Sequence, residues 1–161
     1  MKRLIVIRHG KSTWELQVRD HDRVLTQQGI DDAHSIGNAL NDLDLTPDQI
    51  WTSTAARALQ TATLVSEYID YRLTKLQLKR ELYTFSGNDL MDVIATAEDT
   101  IATLVICSHN QGITDLVNDW GSIRFDNVPT TGVVVIDFDS NSWSSLGKGT
   151  TKFHLFPKLL K

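Results

Sequence analysis

Residues 4–10 read "LIVIRHG". Four apolar side chains in a row, three of them β-branched, predict a strand over residues 3–7 that is covered on both faces. The run then stops at Arg8, His9 and Gly10, two polar groups and a flexible residue at its tip. A second run of the same kind, "TLVICSHN" over residues 103–110, ends in Ser108, His109 and Asn110. Strands buried on both faces belong to parallel sheets with helices above and below, and such sheets place their ligands beyond the carboxyl ends of the strands. The two histidines therefore stand where that architecture keeps its chemistry.

Working outward, apolar positions Ile30, Ala33, Ile36, Gly37 and Leu40 recur at helical spacing, and Thr26 is a fitting N-cap for a helix running to about Leu43. "QIWTST" reads as a short strand. It leads into a helix with Ala55, Ala58, Leu59, Ala62, Val65 and Ile69 on one face. A short strand over 75–78, helices in "GNDLMDVIATA" and "QGITDLVNDW", and strands in "GVVVIDF" and "KFHLF" complete the pattern. Strand and helix alternate, so the expected fold is a three-layer α/β/α arrangement on a mostly parallel sheet. With 161 residues, no linker and no repeat, one domain spanning residues 1–161 is expected.

Composition narrows the function. A net charge of −4 argues against non-specific nucleic-acid binding, which needs a basic surface to neutralise phosphates. The lone cysteine, Cys107, offers no internal disulfide and no zinc site of its own, and fits a reducing compartment. The apolar stretch at the start is too short for a signal peptide or a membrane span, so a cytoplasmic protein that does not engage membranes is expected.

If the strands are parallel neighbours, Arg8, His9, Arg57 and His109 converge at one sheet edge, with Ser12, Thr13, Ser53 and Ser108 nearby. Such a cationic, donor-rich cluster suits a phosphoryl dianion, because guanidinium forks match phosphate oxygens. Gly10 would let the backbone approach the anion, and Ser12, Thr13 and Asn110 are either pocket donors or loop and cap residues. A neutral imidazole can attack phosphorus, and the arginines supply the charge that a metal provides elsewhere, so no metal or other cofactor is expected.

"RHG" at the first strand tip, "TSTAARALQTA" and "SHN" resemble, in order, the three motifs of the histidine phosphatase superfamily, which includes the phosphoglycerate mutases. With "RHGKSTW", "DHDRVLTQQG", "ELY" and "SHNQGI", the chain is most similar to its short SixA-type phosphohistidine phosphatases. The resemblance implies a phosphoglycerate mutase-like fold, His9 as nucleophile, and Arg8, Arg57 and His109 as the phosphate pocket. It also implies a phosphatase acting on a phosphorylated protein domain or a small phosphorylated metabolite. Thr54 replaces the usual proline of the second motif, "SHNQ" replaces the commoner "GHNP", and Lys11 stands where mutases often carry glutamate. Larger members hold a proton-donating glutamate near Glu81, which makes Glu81 a candidate proton donor here. A mutase is disfavoured because no segment is long enough to close the site. A non-catalytic phospho-ligand binder would need only the arginines. Asp22 and Arg23 either line the pocket mouth or, the favoured reading, form a surface pair holding the loop; His21 and His34 are expected to face solvent, and the four tryptophans to pack the core or rim.

Overall fold

A computed structural model describes all 161 residues. Ten main elements follow one another: β1 (Lys2–Arg8), α1 (Gln27–Asp42), β2 (Gln49–Thr52), α2 (Ala56–Tyr68), β3 (Gln77–Leu78), α3 (Gly87–Ile94), β4 (Thr103–Ser108), α4 (Gly112–Trp120), β5 (Val133–Phe138) and β6 (Thr150–Leu155). They build a six-stranded sheet in the order β3-β2-β4-β1-β5-β6. The first four strands of the sequence run parallel, while β5 is antiparallel to both β1 and β6.

The alternation of side chains along each strand divides the core in two. Leu4, Val6, Leu104, Ile106, Val134 and Ile136 pack beneath α3 and α4. Ile5, Ile7, Val105, Cys107, Val133 and Val135 face α1 and α2. This double coverage explains the unbroken apolar runs that mark β1, β4 and β5. Thr26 caps α1 as its sequence predicts, its hydroxyl accepting a hydrogen bond from the Gly29 amide at 3.1 Å. Gly29 is required there: a Cβ would lie 2.3 Å from the Lys11 carbonyl oxygen, so only glycine lets the first turn of α1 lie against the loop that leaves β1.

The expected strand at 75–78 is shorter than the sequence suggests. Leu73–Lys75 closes into a 3₁₀ turn through a hydrogen bond from the Lys75 amide to the Arg72 carbonyl, leaving two residues to pair with β2. No helix is long and apolar enough to cross a membrane.

Candidate active site

β1 and β4 pair in parallel with Arg8 opposite Ser108, so His9 and His109 leave adjacent strands side by side. Their ring centroids are 5.0 Å apart. β2 lies on the other side of β4 and ends beside it, delivering Ser53 and, in the first turn of α2, Arg57. The four residues expected to converge do meet at the carboxyl edge of the sheet.

Each imidazole is held by a different device. His9 Nδ1 lies 2.7 Å from the Gly10 carbonyl oxygen. That oxygen can only accept, so Nδ1 carries the ring proton and Nε2 keeps its lone pair. The Arg57 Nε–H points at that lone pair from 3.4 Å. Burial, reinforced by the charges of Arg57, Arg8 and Arg23 and opposed by the Gly10 bond, lowers the His9 pKa to about 4. The ring is therefore neutral, with Nε2 unprotonated, throughout the physiological range. Gly10 serves here through its carbonyl. Its amide donates to the Thr61 hydroxyl at 2.9 Å.

His109 is fully buried. Its Nε2 lies 2.8 Å from the Ser53 hydroxyl, whereas Nδ1 has no hydrogen-bond partner. When the Ser53 hydroxyl donates to Nε2, Nδ1 holds the proton and can donate it. Burial, then the proximity of His9 and Arg57, lowers the His109 pKa to about 3. Tyr83 and Phe85 wedge the ring at centroid distances of 5.4 and 5.5 Å.

Arg8 donates to the Val128 carbonyl at 2.8 Å, and its buried Nε has no partner. Arg57 is only 2% exposed and is gripped from outside by Asp20. Its Nη1 donates to the Asp20 backbone carbonyl at 2.7 Å and its Nη2 to Oδ2 at 2.9 Å. The same carboxylate accepts from the Tyr83 hydroxyl at 2.6 Å and from Arg23 Nη1 at 2.9 Å. Burial acts to raise the Asp20 pKa. The hydrogen bonds from Tyr83, Arg57 and Arg23 outweigh it and hold the carboxyl well below the usual carboxylate range.

These groups open into a cleft of about 410 Å³, with Arg8, His9, Ser12, Asp20, Arg23 and Arg57 among its lining residues. Trp14 and Phe85 form its apolar walls. Three guanidiniums, the Lys11 ammonium, one carboxylate and a neutral imidazole nucleophile give a pocket of net positive charge that can seat a phosphoryl dianion in front of Nε2. No group of three or more His, Cys, Asp or Glu side chains is placed to hold a metal ion.

The remaining candidates divide. Ser12 lines the cleft and hydrogen-bonds the Arg23 guanidinium. Thr13 instead stabilises its own loop, its hydroxyl accepting from the Glu15 amide. Asn110 takes the cap role, its Oδ1 accepting from the Thr114 amide and hydroxyl. The Ser108 hydroxyl turns to the Leu82 carbonyl. Glu81 lies exposed in a 3₁₀ turn over Arg80–Leu82 and is not among the cleft residues; the carboxylate at the cleft is Asp20.

Two expectations for the loop after β1 are corrected. Arg23 is buried and pairs with Asp20, while Asp22 pairs with Arg19. In the 3₁₀ turn over Asp20–Asp22, residues three apart eclipse, so the adjacent pair 22–23 cannot meet but 20–23 and 19–22 do. His21 has a partner, the Thr54 hydroxyl at 2.8 Å, so the threonine that replaces the usual proline of the second motif ties this loop to the motif. His34 is likewise bound, to the Tyr68 hydroxyl. Asp20 and Tyr83 went unassigned in the sequence. The available signal is the charged run Arg19, Asp20, Asp22 and Arg23, two arginines flanking two aspartates, around the start of "DHDRVLTQQG".

The family model of the histidine phosphatase superfamily, branch 1, matches residues 4–90. The chain belongs to this superfamily. Its membership agrees with the expected phosphatase class. An uncharacterized chloroplastic protein of Arabidopsis thaliana is 27% identical over 153 residues, covering 88% of this chain and 69% of that protein. The fold matches that of a SixA from Agrobacterium tumefaciens with a TM-score of 0.82, 24% identity, and coverage of 97% of this chain and 98% of the other. It also matches the protein histidine phosphatase SixA complexed with tungstate, with a TM-score of 0.83, 21% identity and 99% of both chains covered. The phosphoglycerate mutase-like α/β fold expected from the sequence is thus the fold observed.

Proposed function

We propose that this member of the histidine phosphatase superfamily is a metal-independent protein phosphohistidine phosphatase, with residues 1–161 acting as one domain. The observation that carries the proposal is the state of His9: a neutral ring, its proton fixed on Nδ1 by Gly10, and an Nε2 lone pair facing a cleft of guanidiniums.

In the first step Nε2 of His9 attacks phosphorus and the bond from phosphorus to the substrate nitrogen breaks in line. Arg8 and Arg57 and the Nδ1–H of His109 donate to the equatorial oxygens as charge shifts among them. The substrate imidazole leaves neutral, with its proton already on the distal ring nitrogen, so the step needs no general acid. This agrees with a cleft in which the single carboxylate, Asp20, is held ionised. In the second step water attacks phosphorus, the bond to Nε2 breaks, and inorganic phosphate departs with His9 restored.

The apolar walls favour a phosphoryl group carried on a protein. Trp14 is 77% exposed and Phe85 53%, and Leu16 and Val18 on the same loop as Trp14 are also exposed. Such a rim suits contact with a macromolecular surface around the phosphorylated side chain.

The test is phosphate release in the presence of EDTA from a phosphohistidine-bearing domain and from an aryl phosphate, side by side. Strong preference for the first is expected. Preference for the ester would establish a small-molecule phosphomonoesterase instead, and release from neither would overturn both readings.

A further inference from the structure

We propose that Asp20 determines substrate specificity, by excluding phosphorylated substrates that carry a second negative group next to the scissile bond. The inference rests on the reading of the cleft as a phosphoryl site, and it concerns the part of the substrate that lies beyond the phosphoryl group.

Position is the first argument. His9 and Arg57 form the floor of the cleft, 9% and 2% exposed, whereas the Asp20 side chain is 40% exposed on its open side. An in-line transfer to Nε2 sends the leaving group away from His9, out of the floor and towards the side where Asp20 stands.

Rigidity is the second. Asp20 is fixed by Arg57, Arg23 and Tyr83, donors from three separate parts of the chain. It cannot swing aside without taking the carboxylate partner from the 2%-exposed Arg57 guanidinium and from Arg23 and Tyr83 together.

Charge is the third. With both histidines neutral, Arg8, Arg23, Arg57 and Lys11 line the cleft with positive charge, and Asp20 is its single negative group. A leaving group without negative charge, such as an imidazole that departs neutral, lies beside the carboxylate without repulsion, whereas a carboxylate or second phosphate there meets a fixed like charge.

The experiment compares glycerol 3-phosphate with 3-phosphoglycerate. These ligands share the phosphoryl group and differ by a hydroxymethyl against a carboxylate. Dissociation constants are measured by calorimetry on the His9→Ala protein, so that turnover plays no part. 3-Phosphoglycerate is expected to bind at least about tenfold more weakly than glycerol 3-phosphate. Adding Asp20→Asn should narrow the gap to within about twofold, and Asp20→Glu should keep it. Equal affinities with Asp20 in place, or a gap unchanged by Asp20→Asn, would overturn the proposal. A merely structural role would weaken both ligands together and leave their ratio unmoved. If neither ligand bound, the phosphoryl-site reading itself would fall.

Discussion

The tips of β1 and β4 present the same side chain from neighbouring parallel strands, yet the two imidazoles are prepared for different work. His9 is held through Nδ1 by a backbone carbonyl, which leaves Nε2 as an electron pair directed at the cleft. His109 is held through Nε2 by the Ser53 hydroxyl, and its Nδ1 is a buried atom without a partner. A carbonyl can only accept, which fixes the His9 proton on Nδ1, whereas a hydroxyl can do either, which lets His109 place its proton on Nδ1 and donate it. Burial alone would have made both rings neutral and indistinguishable. The difference between nucleophile and donor lies in one hydrogen bond apiece.

That contrast can be broken most severely at His9. His9→Ala should lower kcat by about 10⁴-fold or more, as removal of a covalent nucleophile does, while inorganic phosphate binding is largely kept. Brief incubation with a radiolabelled phosphoryl donor should label the unsubstituted protein in an acid-labile manner and leave His9→Ala unlabelled; retained turnover would end the covalent mechanism. His109→Ala should cost about 10²–10³-fold in kcat, the usual loss for one positioned donor, yet still form the labelled intermediate. If it failed to label, the two roles would have been assigned the wrong way round.

Acid sharpens the comparison next. Both histidines have folded-state pKa values below the ordinary 6.5, at about 4 and about 3. Between those values and 6.5 the unfolded chain binds protons that the folded chain refuses. Their contribution to stability is therefore complete above about pH 6.5 and declines as the pH falls towards 4. At pH 5.5 the loss is about 1 kcal/mol for each histidine, seen as a lower Tm than at pH 7.5. The rate of the chemical step should nevertheless hold down to about pH 5 and fall only as His9 protonates near pH 4. A fall in rate centred at 6.5 would show that His9 titrates like an exposed imidazole.

Ser53→Ala removes the partner of His109 Nε2 and frees the ring to choose its tautomer. A five- to tenfold drop in kcat and about 1 kcal/mol of lost stability are expected, with His9 labelling intact. Glu81→Gln should change kcat/KM less than about twofold, because a surface carboxylate away from the reacting atoms contributes little. A large loss on aryl phosphates would reinstate Glu81 as a proton donor.

The sequence revealed these parts unevenly, for physical reasons. β1 and β4 were plain because burial on both faces demands unbroken apolar runs, and the histidines were plain because they interrupt those runs at the tips. The N-cap of α1 at Thr26 was likewise a local signal. The clamp around Arg57 was hidden because Asp20 and Tyr83 lie 63 residues apart in the chain and meet through the tertiary fold. Arg23 was misread because sequence adjacency suggested Asp22 as its partner, whereas a 3₁₀ turn pairs residues three apart. Glu81 was suggested by resemblance to larger proteins, and it sits on a short exposed turn that carries it away from the cleft.

One feature of the sheet bears on how this protein comes into being. β4 lies between β2 and β1, although it is made after both. Until residues 103–108 have joined the sheet, β1 and β2 share no edge, and the His9 segment meets α2 only through contacts outside the sheet, such as that of the Gly10 amide with the Thr61 hydroxyl. A growing chain emerging from the ribosome thus carries its nucleophile from the start but gains a working centre only when a strand some hundred residues later slides between two earlier ones. Such long-range closure is slow relative to helix formation. The onset of activity during synthesis would therefore mark the moment at which the sheet is completed.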